Sequence, residues 1–238
     1  MQGDGPLLLI LPGNTASSAC HTGELDTFGQ DYQAVALDFL GVGQSDRLDP
    51  WPSSWWEDGA RDAVALIEHL GPGRAIIIGT SGGGVVALLM GLLAPQRVAA
   101  IVADSCVARL SADALRASVV GRQLELNGGG DFWRMAHGDD WRGVVRADSN
   151  LLLGWAERGG VDWFPHGLSG IRCPVLLTAS LDDPLLPGVS EQIPHMAREI
   201  ENSRVFLVSH GDHPLMWSRP DEFRAITHWF LGSIRASE

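Results

Sequence analysis

The sequence predicts an α/β fold, with a mostly parallel sheet that is covered by helices on both faces. Short apolar runs without polar alternation recur along the chain, as expected for strands that are buried on both faces. Between them lie stretches in which apolar residues recur at three- and four-residue steps, the spacing of an amphipathic helix. Regular alternation of the two patterns is typical of parallel strands that are joined by crossover helices.

Six apolar runs are predicted as the core strands, in chain order residues 7–11, 34–37, 75–78, 100–103, 175–178 and 205–208. Helices are predicted in the connections. Residues 60–70 carry one apolar face, and Gly71 follows as a helix stop. Residues 85–93 form a helix-like run after the third strand, and Pro220 is a favoured first-turn residue for the last helix.

One long segment, residues 107–170, interrupts this order. It shows no clear strand, and its helix-like stretches are residues 112–126 and 141–155. About 60 residues are too many for a simple connection between two core strands. We therefore expect core regions at residues 1–106 and 171–238, separated by a helical cap insertion at residues 107–170 that lies over one end of the sheet.

Composition and charge narrow the classes of function. The 238 residues hold 17 basic and 29 acidic side chains, and the net charge of −12 disfavours nucleic acid as a partner. No lysine is present, which excludes Schiff-base chemistry and the phosphate-loop lysine. The three cysteines show no metal-ligand spacing. Because no apolar run is long enough for a membrane span or a signal peptide, we expect a cytoplasmic protein without a membrane partner.

Residues 79–83, GTSGG, fit the pattern G-x-S-x-G between a predicted strand and a predicted helix. In this context a tight turn projects a nucleophilic serine, here Ser81, above a sheet. The helix N-terminus behind the serine presents backbone N–H groups to a developing oxyanion. The alternative is a glycine-rich turn that cradles a phosphate, but the chain has no lysine for that role and G-x-G-x-x-G does not fit.

A serine nucleophile needs a base, and the base needs an acid that orients it. Candidate acids follow the fifth predicted strand: Asp182 and Asp183. Candidate bases follow the last predicted strand: His210 and His213. Because the carboxyl ends of parallel strands meet at one edge of the sheet, where ligands bind, we expect these side chains to lie near one another.

Four motifs make the chain resemble the α/β-hydrolase superfamily, in particular its cap-bearing serine hydrolases, which include carboxylesterases, enol-lactonases and C–C hydrolases. The motifs are residues 38–47 (DFLGVGQSDR), residues 78–83 (IGTSGG), residues 183–187 (DPLLP) and the spacing of His213 to Pro220. The resemblance covers nearly the whole chain. The resemblance implies the α/β-hydrolase fold.

The resemblance also implies a catalytic triad, with Ser81 as nucleophile, Asp183 as acid and His213 as base. It favours Asp183 over Asp182 and His213 over His210. The residues alone leave Asp182 and His210 open as alternatives. The resemblance adds Asp104 as a third option for the acid, because some family members place the acid after the strand that precedes it.

Residues 11–14, LPGN, stand where the family carries His-Gly-x after its first central strand. By that resemblance, the backbone N–H of Asn14 joins that of Gly82 as the oxyanion hole. Pro12 replaces the usual histidine of the family. The alternative for Asn14 is a solvated Asx turn.

The function that the resemblance implies is that of a cofactor-independent, metal-free, carboxylesterase-like serine hydrolase. Its small-molecule substrate is an ester or a lactone, cleaved through an acyl-enzyme. Two alternatives stay open: a C–C hydrolase of a vinylogous diketone, and a small-molecule receptor that retains the triad. Four tryptophans of the insertion either line an apolar substrate pocket or pack the cap onto itself: Trp133, Trp141, Trp155 and Trp163.

Family members usually carry an antiparallel hairpin before the first central strand, but six residues precede Leu7 here. Without that hairpin, residues 34–37 form a free edge strand with no charge or proline to blunt it. We therefore expect this edge to be covered by the N-terminal residues, by a loop, or by a second copy of the chain in a homodimer.

Overall fold

The structure, a computed structural model, describes residues 1–71, 73–127 and 130–235. The strands in these residues are β1 (Leu7–Leu11), β2 (Gln33–Ala36), β3 (Ala75–Thr80), β4 (Val98–Asp104), β5 (Arg109–Ser111), β6 (Gly160–Asp162), β7 (Val175–Ser180) and β8 (Ser203–Val208). Six of them form one parallel sheet in the order β2-β1-β3-β4-β7-β8. The predicted mostly parallel sheet is confirmed.

Helices occupy most of the connections in the described residues. They are α1 (Thr22–Phe28), α2 (Trp55–Leu70), α3 (Gly82–Leu93), α4 (Ala112–Asn127), α5 (Asp131–His137), α6 (Trp141–Glu157), α7 (Val189–Glu199), α8 (Leu215–Ser218) and α9 (Pro220–Arg235). A 3₁₀ turn, Ser18–His21, precedes α1. None of the helices described is both long enough and apolar enough to cross a membrane.

The sheet carries one apolar layer on each face. Along β1, Leu8 and Ile10 pack in a cluster with side chains of α1, α8 and α9. Their neighbours Leu9 and Leu11 pack in a second cluster with side chains of α2, α3 and α7. Successive side chains of a strand point to opposite faces, so a strand that is covered on both sides reads as a continuous apolar run.

The carboxyl ends of β3, β7 and β8 lie along one edge of the sheet, because these strands run parallel. Ser81 follows β3, Asp183 follows β7 and His213 follows β8. The topology therefore brings the three predicted triad residues to the same edge from distant parts of the chain.

The residues between β4 and β7, named here the cap segment (residues 105–174), hold the helices α4, α5 and α6. The expectation that no strand occurs in residues 107–170 is wrong. The strands β5 and β6 pair in antiparallel fashion, with Leu110 opposite Val161. Each has three residues, which is too short for a period-two pattern to stand out in the sequence.

Strand β2 lies at one edge of the main sheet. Gln2 forms an isolated antiparallel bridge with Ala34 of this strand. The N–H of Gln2 donates to the Ala34 carbonyl oxygen at 2.9 Å, and the N–H of Ala34 donates back at 2.8 Å. The segment before β1 therefore runs along part of the edge that the sequence predicts to be free.

Candidate active site

Ser81 occupies a sharp turn between β3 and α3. Its backbone has φ 55° and ψ −124°, a region that side-chain-bearing residues rarely adopt. A Cβ atom at Gly79 would overlap the carbonyl oxygen of Gly83, and one at Gly83 would overlap the carbonyl oxygen of Leu11. The glycines of G-x-S-x-G are therefore required by the close approach of strand, turn and helix around the serine.

A continuous chain of hydrogen bonds joins the three side chains that the sequence analysis predicts as a triad. His213 Nε2 lies 2.8 Å from Ser81 Oγ, and His213 Nδ1 lies 2.8 Å from Asp183 Oδ2. The Asp183 side chain is fully buried. Its second oxygen accepts the N–H of Leu185 at 2.9 Å. Both carboxylate oxygens are thus bonded, and the imidazole is oriented between acid and serine.

The alternative acid and base, Asp182 and His210, pair with each other at the surface. Asp182 Oδ2 lies 2.8 Å from His210 Nδ1. Asp182 Oδ1 accepts the Ser180 hydroxyl at 2.8 Å and the Gly211 N–H at 3.0 Å. These bonds, with the one to His210 first, lower the pKa of Asp182 to about 2. Adjacent residues of one turn therefore form two separate aspartate–histidine pairs.

Asp104, the other alternative acid, is buried beneath the turn that follows His213. Its carboxylate accepts the hydroxyl groups of Thr80 at 2.9 Å and Thr178 at 2.7 Å, and the N–H of Met216 at 3.1 Å. Burial raises the pKa of Asp104. These bonds tie the ends of β3, β4 and β7 to the start of α8.

Asn14 and Gly82 lie beside Ser81, where they were predicted to form an oxyanion hole. In the described part of the chain, their backbone N–H groups donate to no other residue. A Cβ atom at Gly13 would lie 2.9 Å from Ser81 Cβ, so the loop after β1 runs directly against the serine turn. The Asn14 side chain is bonded at both ends inside the protein, to Trp56 and to Asp148, and does not form the solvated turn that was the alternative.

A cavity of about 370 Å³ opens above Ser81. Asn14, Gly82 and His213 join the serine at its floor. The cap segment supplies much of the wall with these residues: Leu110, Ser118, Arg122, Phe132, Trp133, Leu152 and Trp163. The size lies near the lower end of the range for small-molecule sites.

Comparison with known proteins decides the family. The model of the alpha/beta hydrolase family matches residues 8–226. The chain belongs to this family. The sequence is similar to that of the protein named "Putative carbamate hydrolase RutD" from Pseudomonas savastanoi pv. phaseolicola. The two are 27% identical over 250 residues, which cover 97% of this chain and 95% of the relative.

Solved structures share the fold of this hydrolase. A hydrolase from Pseudomonas aeruginosa PA01 superposes with a TM-score of 0.78 at 20% identity, covering 97% of this chain and 92% of that one. E-2-(acetamidomethylene)succinate hydrolase superposes with a TM-score of 0.73 at 22% identity, covering 97% and 93%. At these identities the likeness concerns the fold.

Two of the four tryptophans singled out from the sequence line the cavity of the hydrolase. Trp133 and Trp163 belong to its wall and are almost completely buried. The Trp163 ring meets the Trp56 ring edge to face, with centroids 5.3 Å apart. These aromatic faces make much of the wall apolar.

The expectation that Trp141 and Trp155 also line the cavity is corrected by their positions. Trp141 stacks behind Trp133 at a centroid distance of 5.8 Å, with the Arg142 guanidinium 4.3 Å from its ring. Trp155 lies partly exposed under the guanidinium of Arg158, 5.1 Å from its ring. Both pack the cap onto itself, as in the alternative interpretation.

Sequence reasoning missed other residues that surround the hydrolase cavity. Trp56 of α2 and Trp217 of α8 line it from the core side. Arg122 of α4 forms an ion pair with the fully buried Asp148 of α6. Asp148 lies at helical spacing within the buried stripe of α6. A carboxylate inside an apolar stripe is a signal that the sequence contains, because such a group is rarely buried without a partner.

No metal centre is found in the part of the chain that the structure describes, since no three His, Cys, Asp or Glu side chains there are grouped to hold an ion. Cys106 lines the cavity and is buried. Burial raises the pKa of its thiol. A protonated thiol is a poor nucleophile, so Ser81 and not Cys106 is the candidate nucleophile of this cavity.

Proposed function

We propose that this chain is a cofactor-independent serine hydrolase that cleaves a small ester or lactone through an acyl-enzyme on Ser81. The observation that carries the proposal is the bonded chain from Asp183 through His213 to Ser81, opening into a cavity of about 370 Å³. Apolar and aromatic side chains supply much of the cavity wall, which favours a substantially apolar substrate.

In the first half of the reaction, His213 acts as general base. Its Nδ1–H donates to Asp183, which leaves Nε2 to accept the proton of the Ser81 hydroxyl. Ser81 Oγ attacks the substrate carbonyl carbon. The buried Asp183 carboxylate stabilises the imidazolium that forms. His213 then gives the proton to the leaving alcohol, and the acyl group stays on the serine.

In the second half, water replaces the serine as the nucleophile. His213 takes a proton from the water, which attacks the acyl carbonyl carbon, and Ser81 leaves with the proton returned by His213. The backbone N–H groups of Asn14 and Gly82 receive the oxyanion in both halves, because they lie beside the serine without another acceptor among the described residues.

A second candidate substrate is a carbamate, and the RutD relative favours it. A carbamate carbonyl is attacked by the same serine, and its cleavage needs the same proton transfers at His213.

The C–C hydrolase and the triad-retaining receptor differ from the ester hydrolase in two measurable ways. The C–C hydrolase acts on a vinylogous diketone in place of an ester. A receptor releases product for at most a few cycles, whereas a hydrolase does so continuously.

The test of this proposal compares Ser81→Ala with wild type on p-nitrophenyl esters, lactones, an aryl carbamate and a dienoate diketone. We expect kcat on the best substrate to fall by about 10⁴-fold or more, since the nucleophile is lost. Ser203→Ala is the matched control. Ser203 lies at the start of β8, away from the cavity, and its hydroxyl donates to the Ala197 carbonyl oxygen. A fluorophosphonate should label wild type at Ser81. Undiminished turnover by Ser81→Ala refutes the mechanism.

A further inference from the structure

A buried polar chain connects the cap segment to the loop that follows β1. Arg122 of α4 pairs with Asp148 of α6. Asp148 Oδ1 accepts the side-chain amide N–H of Asn14 at 2.6 Å. Asn14 Oδ1 in turn accepts the indole N–H of Trp56 at 3.1 Å. The chain thus runs from two cap helices, through the candidate oxyanion loop, to α2 of the core.

Asn14 is held at both ends of its side chain. Its amide nitrogen is bonded to the cap and its amide oxygen to the core. The side chain also packs over Gly82, where a Cβ atom would overlap Asn14 Oδ1. With both ends bonded and one face packed, the side chain has one orientation, and the backbone N–H of the same residue is fixed beside Ser81.

We infer that Asp148 is a positioning residue, which holds the Asn14 N–H in the geometry that receives the oxyanion. This inference rests on the proposed serine hydrolase function. It gives the cap a role beyond covering the cavity, because the oxyanion hole is complete only when α6 is docked. Asp148 acts through Asn14: it bonds the amide at the end of the Asn14 side chain and does not contact the Asn14 backbone N–H.

The charge of Asp148 suits this role. A fully buried carboxylate is unfavourable unless it is paired, and here it accepts from Asn14 and contacts the Arg122 guanidinium. An ionised acceptor makes shorter and stronger hydrogen bonds than a neutral one, in line with the 2.6 Å separation. An apolar side chain at position 148 could pack the cap as well, but it could not orient an amide.

The experiment measures kcat, KM and the affinity of a trifluoromethyl ketone, which forms an oxyanion on the serine, for wild type and Asp148→Ala. We expect kcat to fall by about 10- to 100-fold, less than the 10²–10³ that loss of a whole oxyanion donor costs. KM should change by less than about threefold, since only the charged intermediate needs the donor. Affinity for the ketone should fall by the same factor as kcat.

Two further variants separate positioning from mere support of the cap. Ser17→Ala removes the bond from the Ser17 hydroxyl to the Ala136 carbonyl, 2.8 Å, which ties the same loop to α5 without reaching Asn14. We expect this variant to keep the kcat of wild type. Asn14→Ala should lower kcat, and Asp148→Ala should add no further loss in its background, because the two residues act as a unit.

Asp148→Asn serves if Asp148→Ala fails to fold, because it keeps the shape and an acceptor oxygen while losing the charge. We expect a loss of kcat and of ketone affinity of about threefold or more, since a neutral acceptor makes a weaker bond. Wild-type kcat and ketone affinity in the folded Asp148 variants overturn this inference, and so does a loss confined to KM. If the Asp148 variants behave like wild type but Ser81→Ala abolishes turnover, this inference fails and the proposed function stands. Full turnover by Ser81→Ala overturns both.

Discussion

At the residue scale, two adjacent aspartates offer a direct test because each bonds a different histidine. Asp183 bonds His213, which bonds Ser81, whereas Asp182 bonds His210 at the surface. Asp183→Asn should lower kcat by about 10⁴-fold, because the amide holds the imidazole in the wrong tautomer. Asp182→Asn should change kcat by less than about threefold, since a surface pair contributes little.

Steady-state kinetics on the best ester checks this pair of variants, with circular dichroism to verify folding. Equal losses in the two variants, or a larger loss in Asp182→Asn, would show that the acid is assigned to the wrong residue. The two substitutions remove the same charge one position apart, so each is the matched control of the other.

A second prediction at this scale concerns pH. The N–H of Gly43 donates to His137 Nδ1 at 3.0 Å, and His137 Nε2 lies 2.9 Å from the Thr15 carbonyl oxygen. The imidazole is therefore neutral, with its proton on Nε2. Burial lowers the pKa of His137 and the nearby Arg47 lowers it further. The bond to Thr15 and the charges of two aspartates oppose this shift: Asp38 and Asp140.

Below about pH 6.5 the unfolded chain binds a proton at this histidine that the folded chain does not. The free energy of unfolding should therefore fall as the pH drops from about 6.5 toward the lower pKa of the folded state. His137→Gln, whose amide offers an acceptor and a donor, should show a smaller loss of Tm between pH 7.5 and pH 5.5. His166→Gln, at an exposed site, is the control. The same loss of Tm in all three proteins contradicts the prediction.

At the scale of elements, the cap segment places its tryptophans in two groups with different expected effects. Trp163 lines the cavity, while Trp155 packs against Arg158 outside it. Trp163→Ala should raise KM for an apolar ester by about tenfold or more, because a large apolar contact is lost. Trp155→Ala should leave KM within about twofold of wild type. A KM series with esters of increasing chain length checks both variants, and a larger effect of Trp155→Ala would refute the assignment.

How far the sequence predicts the elements depends on their length and burial. The six core strands and the long helices α2, α4, α6 and α9 are visible in it, because each repeats one pattern over several residues. The strands β5 and β6 have three residues each, and their partner is far away in the chain. The helix α5 has seven residues, and its docking depends on contacts with the core that no local pattern shows.

The same reasoning separates the predictable part of the candidate site from the rest. Ser81, Asp183 and His213 stand in motifs with characteristic spacing, so the sequence places them at one edge of the sheet. Trp56 and Asp148 meet Asn14 only after three distant elements pack together. Such contacts form only in the tertiary structure, and no spacing within the sequence predicts them.

At the scale of the whole molecule, the edge strand β2 bears on how the protein associates. The backbone of Gln2 pairs with that of Ala34, so one residue of this edge strand is covered. A homodimer that pairs β2 with a second copy stays a prediction, since strand edges tend to add another strand. Light scattering at micromolar concentration should then give twice the chain mass of 25.6 kDa.

Gln2→Pro removes the N–H that donates to Ala34 and uncovers this part of the edge. This variant should associate more strongly than wild type. A mass of 25.6 kDa for both proteins would contradict pairing through β2. Gln2→Ala, which keeps the N–H of residue 2 and removes only its side chain, is the matched control.

The aromatic wall of the cavity also gives the protein an optical signal of its own. Four of its nine tryptophans line the cavity: Trp56, Trp133, Trp163 and Trp217. With a single tyrosine in the chain, ultraviolet emission comes almost entirely from indole rings. A ligand that fills the cavity changes the surroundings of four of these fluorophores at once. Occupancy can therefore be followed by intrinsic fluorescence in an inactive serine variant, without a dye and without a chromogenic substrate.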